Sequence, residues 1–166
     1  MLIRPLDPET DRARLTAFFV GVADYIQLER GTAPGPELLD EFFGDAPPGC
    51  DPAASARLGL FGAGQLLGIT EMGFGYPKPE DAYLGLMLLH PEARGGGKGA
   101  CLLRHLEDLA RSRGMTRIAL AVLEINPRGR AFWEREGFRL ELANREVVLG
   151  RVTRIVHRLV KPLPVE

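Results

Sequence analysis

Seven residues near the middle of the chain, Arg94-Gly95-Gly96-Gly97-Lys98-Gly99-Ala100, carry its clearest chemical signal. An apolar run, Leu84 to Leu89, precedes them, and leucines at helical spacing (Leu102, Leu103, Leu106, Leu109) follow. A strand, a turn and a helix are implied. The first amides of a helix have no partner within it, and the helix dipole leaves partial positive charge there. Glycines let a ligand approach that backbone without a Cβ in the way, so the pattern suits a phosphate. Arg94 and Lys98 add charge on either side. A plain strand-to-helix connection is the alternative, but four glycines among five consecutive residues argue against it.

Two nucleotide readings fail on context. Gly95-x-Gly97-x-x-Ala100 fits a dinucleotide fingerprint formally, yet that motif follows the first strand of a βαβ unit and needs an acidic residue about 20 positions on. Arg113, Gly114 and Met115 stand in that region, and too little chain follows for a doubly wound sheet. A Walker loop requires Ser or Thr after its lysine. Lys98 is followed by Gly99.

The elements that must position this loop can be read on either side. A strand at Leu2–Leu6 leads into a helix that starts near Asp7-Pro8, carries Leu15, Phe18, Phe19 and Val22 on one face, and gives out between Asp24 and Gly31. A second short helix carries Leu38, Leu39, Phe42 and Phe43 and ends at Gly44. Arg57–Phe61 and Leu66–Met72 read as a hairpin. Both parities of Leu84–Leu89 are apolar, as in a central strand covered on both faces. Arg117–Val122 is a further strand, joined to it through the leucine helix in a parallel crossover. Asn126-Pro127 opens another helix, which stops at Gly137. Phe138–Leu140 and Val152–Val160 complete the sheet. At 166 residues, one domain spanning 1–166 is expected.

Within this order, Arg94-x-x-Gly97-x-Gly99 after Leu89-His90-Pro91 resembles the acyl-CoA signature of the GCN5-related N-acetyltransferases (GNAT). Asn126 to Phe138 resembles the family's second segment, Asn-x-x-Ala-x-x-Phe-Tyr-Glu-x-x-Gly-Phe. The resemblance extends along nearly the whole chain. It implies an α/β (α+β) fold: a central mixed, mostly antiparallel twisted sheet of six to seven strands, about four flanking helices and a splayed central parallel strand pair. It implies an acetyl-CoA-dependent N-acyltransferase, moving an acetyl group to a primary amine by direct attack. The pyrophosphate would lie on Arg94, Gly95, Gly96, Gly97, Lys98, Gly99 and Ala100. Backbone groups of Leu88 and Leu89 would bond the pantetheine arm, with an N–H at Leu89 facing the developing oxyanion. Asn126 would contact the arm, while Phe132 and Trp133 would line the thioester end. Relatives often carry Tyr where Trp133 stands, and an indole N–H is no proton source. A non-catalytic acyl-CoA-binding or regulatory domain is therefore the alternative. Tyr83 and Tyr76 are the substitute acids.

Direct attack needs a neutral amine. Glu71 is the candidate base, because it shares strand parity with Ile69 and burial would raise its pKa. Glu80 and Asp81 are weaker candidates. His90 and His105 read as surface residues and Cys101 as a buried small one.

Composition bounds the partners. Hydrophobic residues make up 45% and charged residues 26%, as in ordinary soluble domains. No run is long enough for a bilayer, no signal peptide is evident, and Cys50 and Cys101 neither suggest a disulfide framework nor have metal-ligand spacing. A cytoplasmic protein without metal, membrane or nucleic-acid partner is expected, with homodimerisation left open. Residues 1–93 hold 6 Lys/Arg against 14 Asp/Glu, and residues 94–166 hold 15 against 8. The split suggests an anion over the second half. The acidic residues between Asp24 and Asp45 suggest a cationic acceptor there: a small-molecule amine, an amino sugar or a peptide lysine side chain.

Overall fold

Leu102, Leu103, Leu106 and Ala110 fall on one face of a helix and are all at most 1% exposed. They belong to α4 (Lys98–Ser112), which packs on one face of a seven-stranded sheet in the computed structural model, where residues 1–165 are described. The strands are β1 (Leu2–Pro5), β2 (Ala56–Gly62), β3 (Gln65–Phe74), β4 (Asp81–Leu89), β5 (Arg117–Leu123), β6 (Arg139–Leu149) and β7 (Val152–Pro162). Their spatial order is β1-β2-β3-β4-β5-β7-β6, and every neighbouring pair is antiparallel except β4 with β5. No helix among the described residues is long and apolar enough to cross a membrane.

The opposite face is covered by helices from the N-terminal third. The sequence reads as two helices there; the structure has three, α1 (Arg12–Gly21), α2 (Ala23–Arg30) and α3 (Glu37–Gly44). With α4 and α5 (Pro127–Arg135) they make five. The first two are separated at Val22, where φ is −103° and ψ is 26°. Val22 is fully buried, and a Cβ on Gly21 would stand 2.6 Å from His90 Nε2. The chain bends so that Val22 and Ile26 both reach the core formed with Phe18, Phe19, Ile69 and Leu88. His90, read as a surface residue, is half-buried against this bend.

β4 starts at Asp81, three residues before its apolar run. Asp81 is fully buried and bridges to the first residue of β5, with Arg117 Nε and Nη2 donating at 2.9 and 2.8 Å. Burial alone would raise the Asp81 carboxyl, but the guanidinium outweighs it and the pKa is lowered. This carboxylate is a structural clamp between parallel strands rather than a base.

A second buried carboxylate fixes the N-terminus. Asp11 accepts two hydrogen bonds of 2.9 Å from Arg4 and one from the Asp7 N–H. The Arg4 bonds chiefly lower its pKa to about 2. Its contribution to stability is present above the unfolded carboxyl value of about 4 and is lost as pH falls towards about 2. Denaturant titrations of Asp11→Asn should show lower stability at neutral pH and a flatter decline between those two pH values.

In the sequence, β6 is legible only as Phe138–Leu140. It runs eleven residues to Leu149, nearly all exposed, as an edge strand with irregular register after Leu140. With so few buried positions, no alternating apolar pattern marks it.

Candidate active site

Gly85 interrupts the ladder between β3 and β4. Glu71 faces Leu86, while Met72 faces Leu84, so Gly85 is an extra residue. The bulge inverts the strand. Leu84 packs in the α4 core, whereas Leu88, four residues on, packs with α1 and α3. Past the bulge β4 also leaves β5: their pairing ends at Leu84 with Leu120, although β5 continues to Leu123. A splayed gap opens at the sheet centre, and a cleft of about 800 Å³ passes through it.

The backbone of β4 lines this gap. The His90 N–H donates to the Leu67 carbonyl at 2.8 Å. By antiparallel alternation Leu88 and Leu86 also turn towards β3, so Met87 and Leu89 turn their peptide groups to the gap. Leu89 and Met87 thus lie on the free edge, while the Leu88 peptide groups face β3. The Leu89 carbonyl accepts from Arg94 Nε at 3.0 Å, leaving its N–H directed to the cleft.

At one end of the cleft lie Gly95, Gly97, Gly99 and Ala100. Gly95 and Gly97 have φ of 85° and 79°, in the left-handed region that favours glycine. A Cβ on either would meet nothing within 4 Å, so the loop borders open space. The first amides of α4 follow, without acidic side chains in the first turn to occupy them. Gly99 is buried and close-packed: a Cβ there would stand 3.3 Å from the Phe132 ring. Gly96 and Lys98 lie outside the cleft lining. Loop, open gap and unpaired strand edge together fit a ligand with a phosphate end and an amide-bearing arm. Gly97→Val should raise the KM for such a donor about tenfold or more, by crowding the cradle and straining the turn. Titration calorimetry with the donor alone checks this apart from turnover.

On its other walls the cleft meets α5 and α2. Asn126 caps α5, with its Oδ1 accepting from the Gly129 N–H at 3.0 Å, and it lines the cleft beside Phe132 and Trp133. The two rings pack edge-on at 4.9 Å, and Trp133 does the same with buried Phe138 at 5.3 Å. Asp24, Tyr25 and Leu28 of α2 close the far side.

Glu71 lies outside the cleft lining, directly behind Gly85, which does line it. It is 8% exposed, and a Cβ on Gly85 would collide with its Oε2. The missing side chain at Gly85 is what gives the carboxylate room. Burial raises the Glu71 pKa, partly opposed by the Ser55 hydroxyl and the Arg57 charge. Glu71 Oε1 and Ser55 Oγ are both buried without a hydrogen-bond partner, so the serine's help falls short of a formed bond. A buried carboxylate with an open acceptor site and a raised pKa suits proton abstraction.

This fold has well-populated company. The Acetyltransferase (GNAT) family matches residues 23–138, more than half of the chain. The chain belongs to the GNAT acetyltransferases. An acetyltransferase from Thermus thermophilus is similar to it at 26% identity and a TM-score of 0.77, with 98% of each chain covered. The GNAT domain of S. lividans PAT is 23% identical, with a TM-score of 0.72 and coverage of 97% and 89%. The ribosomal-protein-S18-alanine N-acetyltransferase from Escherichia coli is 18% identical, with a TM-score of 0.70 and coverage of 99% and 95%. The latter two likenesses speak for the fold alone. The sequence matches none of the curated proteins compared.

In a GNAT protein, an acyl-CoA-dependent N-acyltransferase by family, the side chains around the gap acquire specific interest. Tyr83 lies outside the cleft lining, on the Glu71 face of the sheet, its ring 5.1 Å from that of Tyr76. Burial, with Tyr76 second, raises its pKa above the usual phenol value. Sequence reading does not pick out Tyr25, yet it lines the cleft; burial, reinforced by Glu29, raises its pKa too. It is a lone tyrosine on a short helix with no motif around it.

Three of the six acidic residues between Asp24 and Asp45 are engaged by cations of this chain. Asp24 accepts from Arg94 at 2.7 Å, tying α2 to the start of the glycine loop. Arg30 pairs with Glu29 at 3.1 Å and Glu41 at 2.6 Å. Only Asp24 of these lines the cleft. Glu37, Asp40 and Asp45 have no ion-pair partner among the described residues, and none of them lines the cleft. Among the described residues no three His, Cys, Asp or Glu side chains form a metal-binding group.

Proposed function

We propose that this GNAT protein transfers the acetyl group of acetyl-CoA to a primary amine by direct attack within the cleft. One observation carries the reading: the interrupted β4–β5 pairing leaves Leu89 N–H facing a gap lined by the glycine loop and by Gly85, against which the Glu71 carboxylate packs. The loop amides and α4 dipole hold the pyrophosphate, and the free backbone of Met87 and Leu89 holds the pantetheine arm. Asn126 uses its amide on that arm, and Phe132 and Trp133 enclose the thioester end.

Glu71 takes the proton of the incoming ammonium, directly or through one water, so that the amine lone pair can attack the thioester carbonyl. The Leu89 N–H stabilises the negative charge that builds on that carbonyl oxygen. Carbon–sulfur cleavage then releases a thiolate, which takes up, directly or through water, the second proton that the nitrogen sheds as the amide forms; its conjugate acid has a pKa of about 8.5, so a strong acid is dispensable. Tyr83, held protonated by burial, is the nearer of the two tyrosine candidates to the Gly85 bulge in sequence.

A second reading is supported by Trp133, which supplies no proton: a domain that binds acyl-CoA and does not turn over. Incubation with acetyl-CoA and an amine panel, followed by mass spectrometry of the amines, separates them. N-acetylated product supports transfer. Donor binding with unmodified amines throughout supports the sensor.

A further inference from the structure

Past the bulge, the Glu71 face of the sheet carries a second set of charged groups. Tyr83 pairs with Ala119, and Ala121, two residues along β5, pairs with Arg158 of β7. Paired residues project to the same face, so Tyr83, Ala121 and Arg158 share the floor that begins at Gly85. On β6, Leu142 faces Arg158 and Arg145 faces Val156, extending that floor outwards. The two alanines keep it low, and Ala121 is exposed in the donor cleft itself.

Arg158 is half-buried, and its Nη2 donates to Tyr76 Oη at 3.2 Å. This holds the guanidinium inward, beside the Tyr76–Tyr83 pair. Among the described residues, neither Arg158 nor Arg145 has a carboxylate within 4.0 Å. Elsewhere on the chain, Arg4, Arg30, Arg94 and Arg117 are all so paired. Both unpaired charges act on the Tyr83 hydroxyl, as does Glu71. One floor therefore has an unsatisfied buried carboxylate oxygen at its β3 end and unpaired guanidinium groups at its β7 and β6 end.

We infer that the acceptor is a zwitterionic amino carboxylate, such as a free amino acid, with its amine at Glu71 and its carboxylate on Arg158, assisted by Arg145. The inference rests on the acetyl-transfer reading above and adds the substrate class. A guanidinium binds a carboxylate through paired charge-assisted hydrogen bonds, and Tyr76 fixes its orientation. A polyamine or a lysine side chain offers only cations to this end and meets repulsion there.

The test uses matched acceptors that differ only in the carboxylate: amino acids, their amides and their decarboxylated amines, each with acetyl-CoA. The wild-type chain should favour the acids in kcat/KM by about tenfold or more. In Arg158→Gln the KM of the acids should rise about 10- to 100-fold while the decarboxylated amines change little, and Arg158→Lys should restore part of the preference. Arg145→Gln, at an exposed position, should give a smaller loss of the same kind. Equal or better use of the decarboxylated amines by the wild-type chain would overturn the assignment, as would a uniform loss in Arg158→Gln. If no amine is acetylated, the transfer reading fails separately. Calorimetry of the same acids on the CoA-bound protein then decides the inference: Arg158-dependent binding upholds it, and no binding refutes it.

Discussion

Glu71→Gln is expected to lower kcat/KM for the amine by about two to three orders of magnitude while leaving acetyl-CoA affinity unchanged. Glutamine keeps the shape beside Gly85 and cannot accept a proton. The wild-type pH profile should rise through a limb above the ordinary carboxylate range, because burial raises the Glu71 pKa. That limb should be absent from the residual activity of the variant, and it should stay in place when amines of different basicity are compared. Stability should move the other way. A raised carboxyl pKa means that the folded chain holds the proton more tightly than the unfolded one. Glu71's contribution is therefore favourable at low pH and is lost as pH rises through the folded value. At neutral pH the buried charge destabilises the fold, so Glu71→Gln should melt higher than wild type at pH 7 and above. Unchanged kcat/KM would remove Glu71 from the chemistry.

Asp81→Ala is expected to destabilise the fold by about 3 kcal/mol, the range for breaking a buried pair from one side. Arg117 would keep only Glu141, at 2.9 Å, and would lose both bonds to Asp81 at the point where β4 and β5 begin their short parallel ladder. This ladder has four registered pairs, from Asp81–Arg117 to Leu84–Leu120, and the gap starts beyond it. The loss should appear in urea denaturation at neutral pH and carry a weaker grip on acetyl-CoA with it. A change below 1 kcal/mol would show that apolar packing of Ala82, Leu84 and Ile118 holds the strands without the clamp.

The parts of this molecule visible from sequence are those written in consecutive residues. The glycine loop, the leucine face of α4 and the Asn126 cap each lie within one element, and their chemistry follows from local geometry. The Gly85 bulge is different. A glycine in an apolar strand has several meanings, and only the register of β3 against β4 reveals that it inverts the strand and makes room for Glu71. The Asp24–Arg94 pair joins residues 70 positions apart, so both charges read as available for ligands when each is already the other's partner. At the split between α1 and α2, His90 lies against Gly21, again a contact between distant segments. Arg158 and Tyr76, 82 positions apart, carry no motif at all. Composition marks the donor half as basic, but tertiary pairing decides which arginines stay free.

The most direct test of the account is steady-state release of free CoA, followed with a thiol reagent, as amine concentration is varied at saturating acetyl-CoA. Direct transfer predicts negligible release without amine, saturable release with a productive amine, and a matching amount of N-acetylated product. Tight acetyl-CoA binding with no amine-dependent release across the panel would contradict it. Such a result would make the cleft a site for holding acyl-CoA rather than for transferring its acyl group.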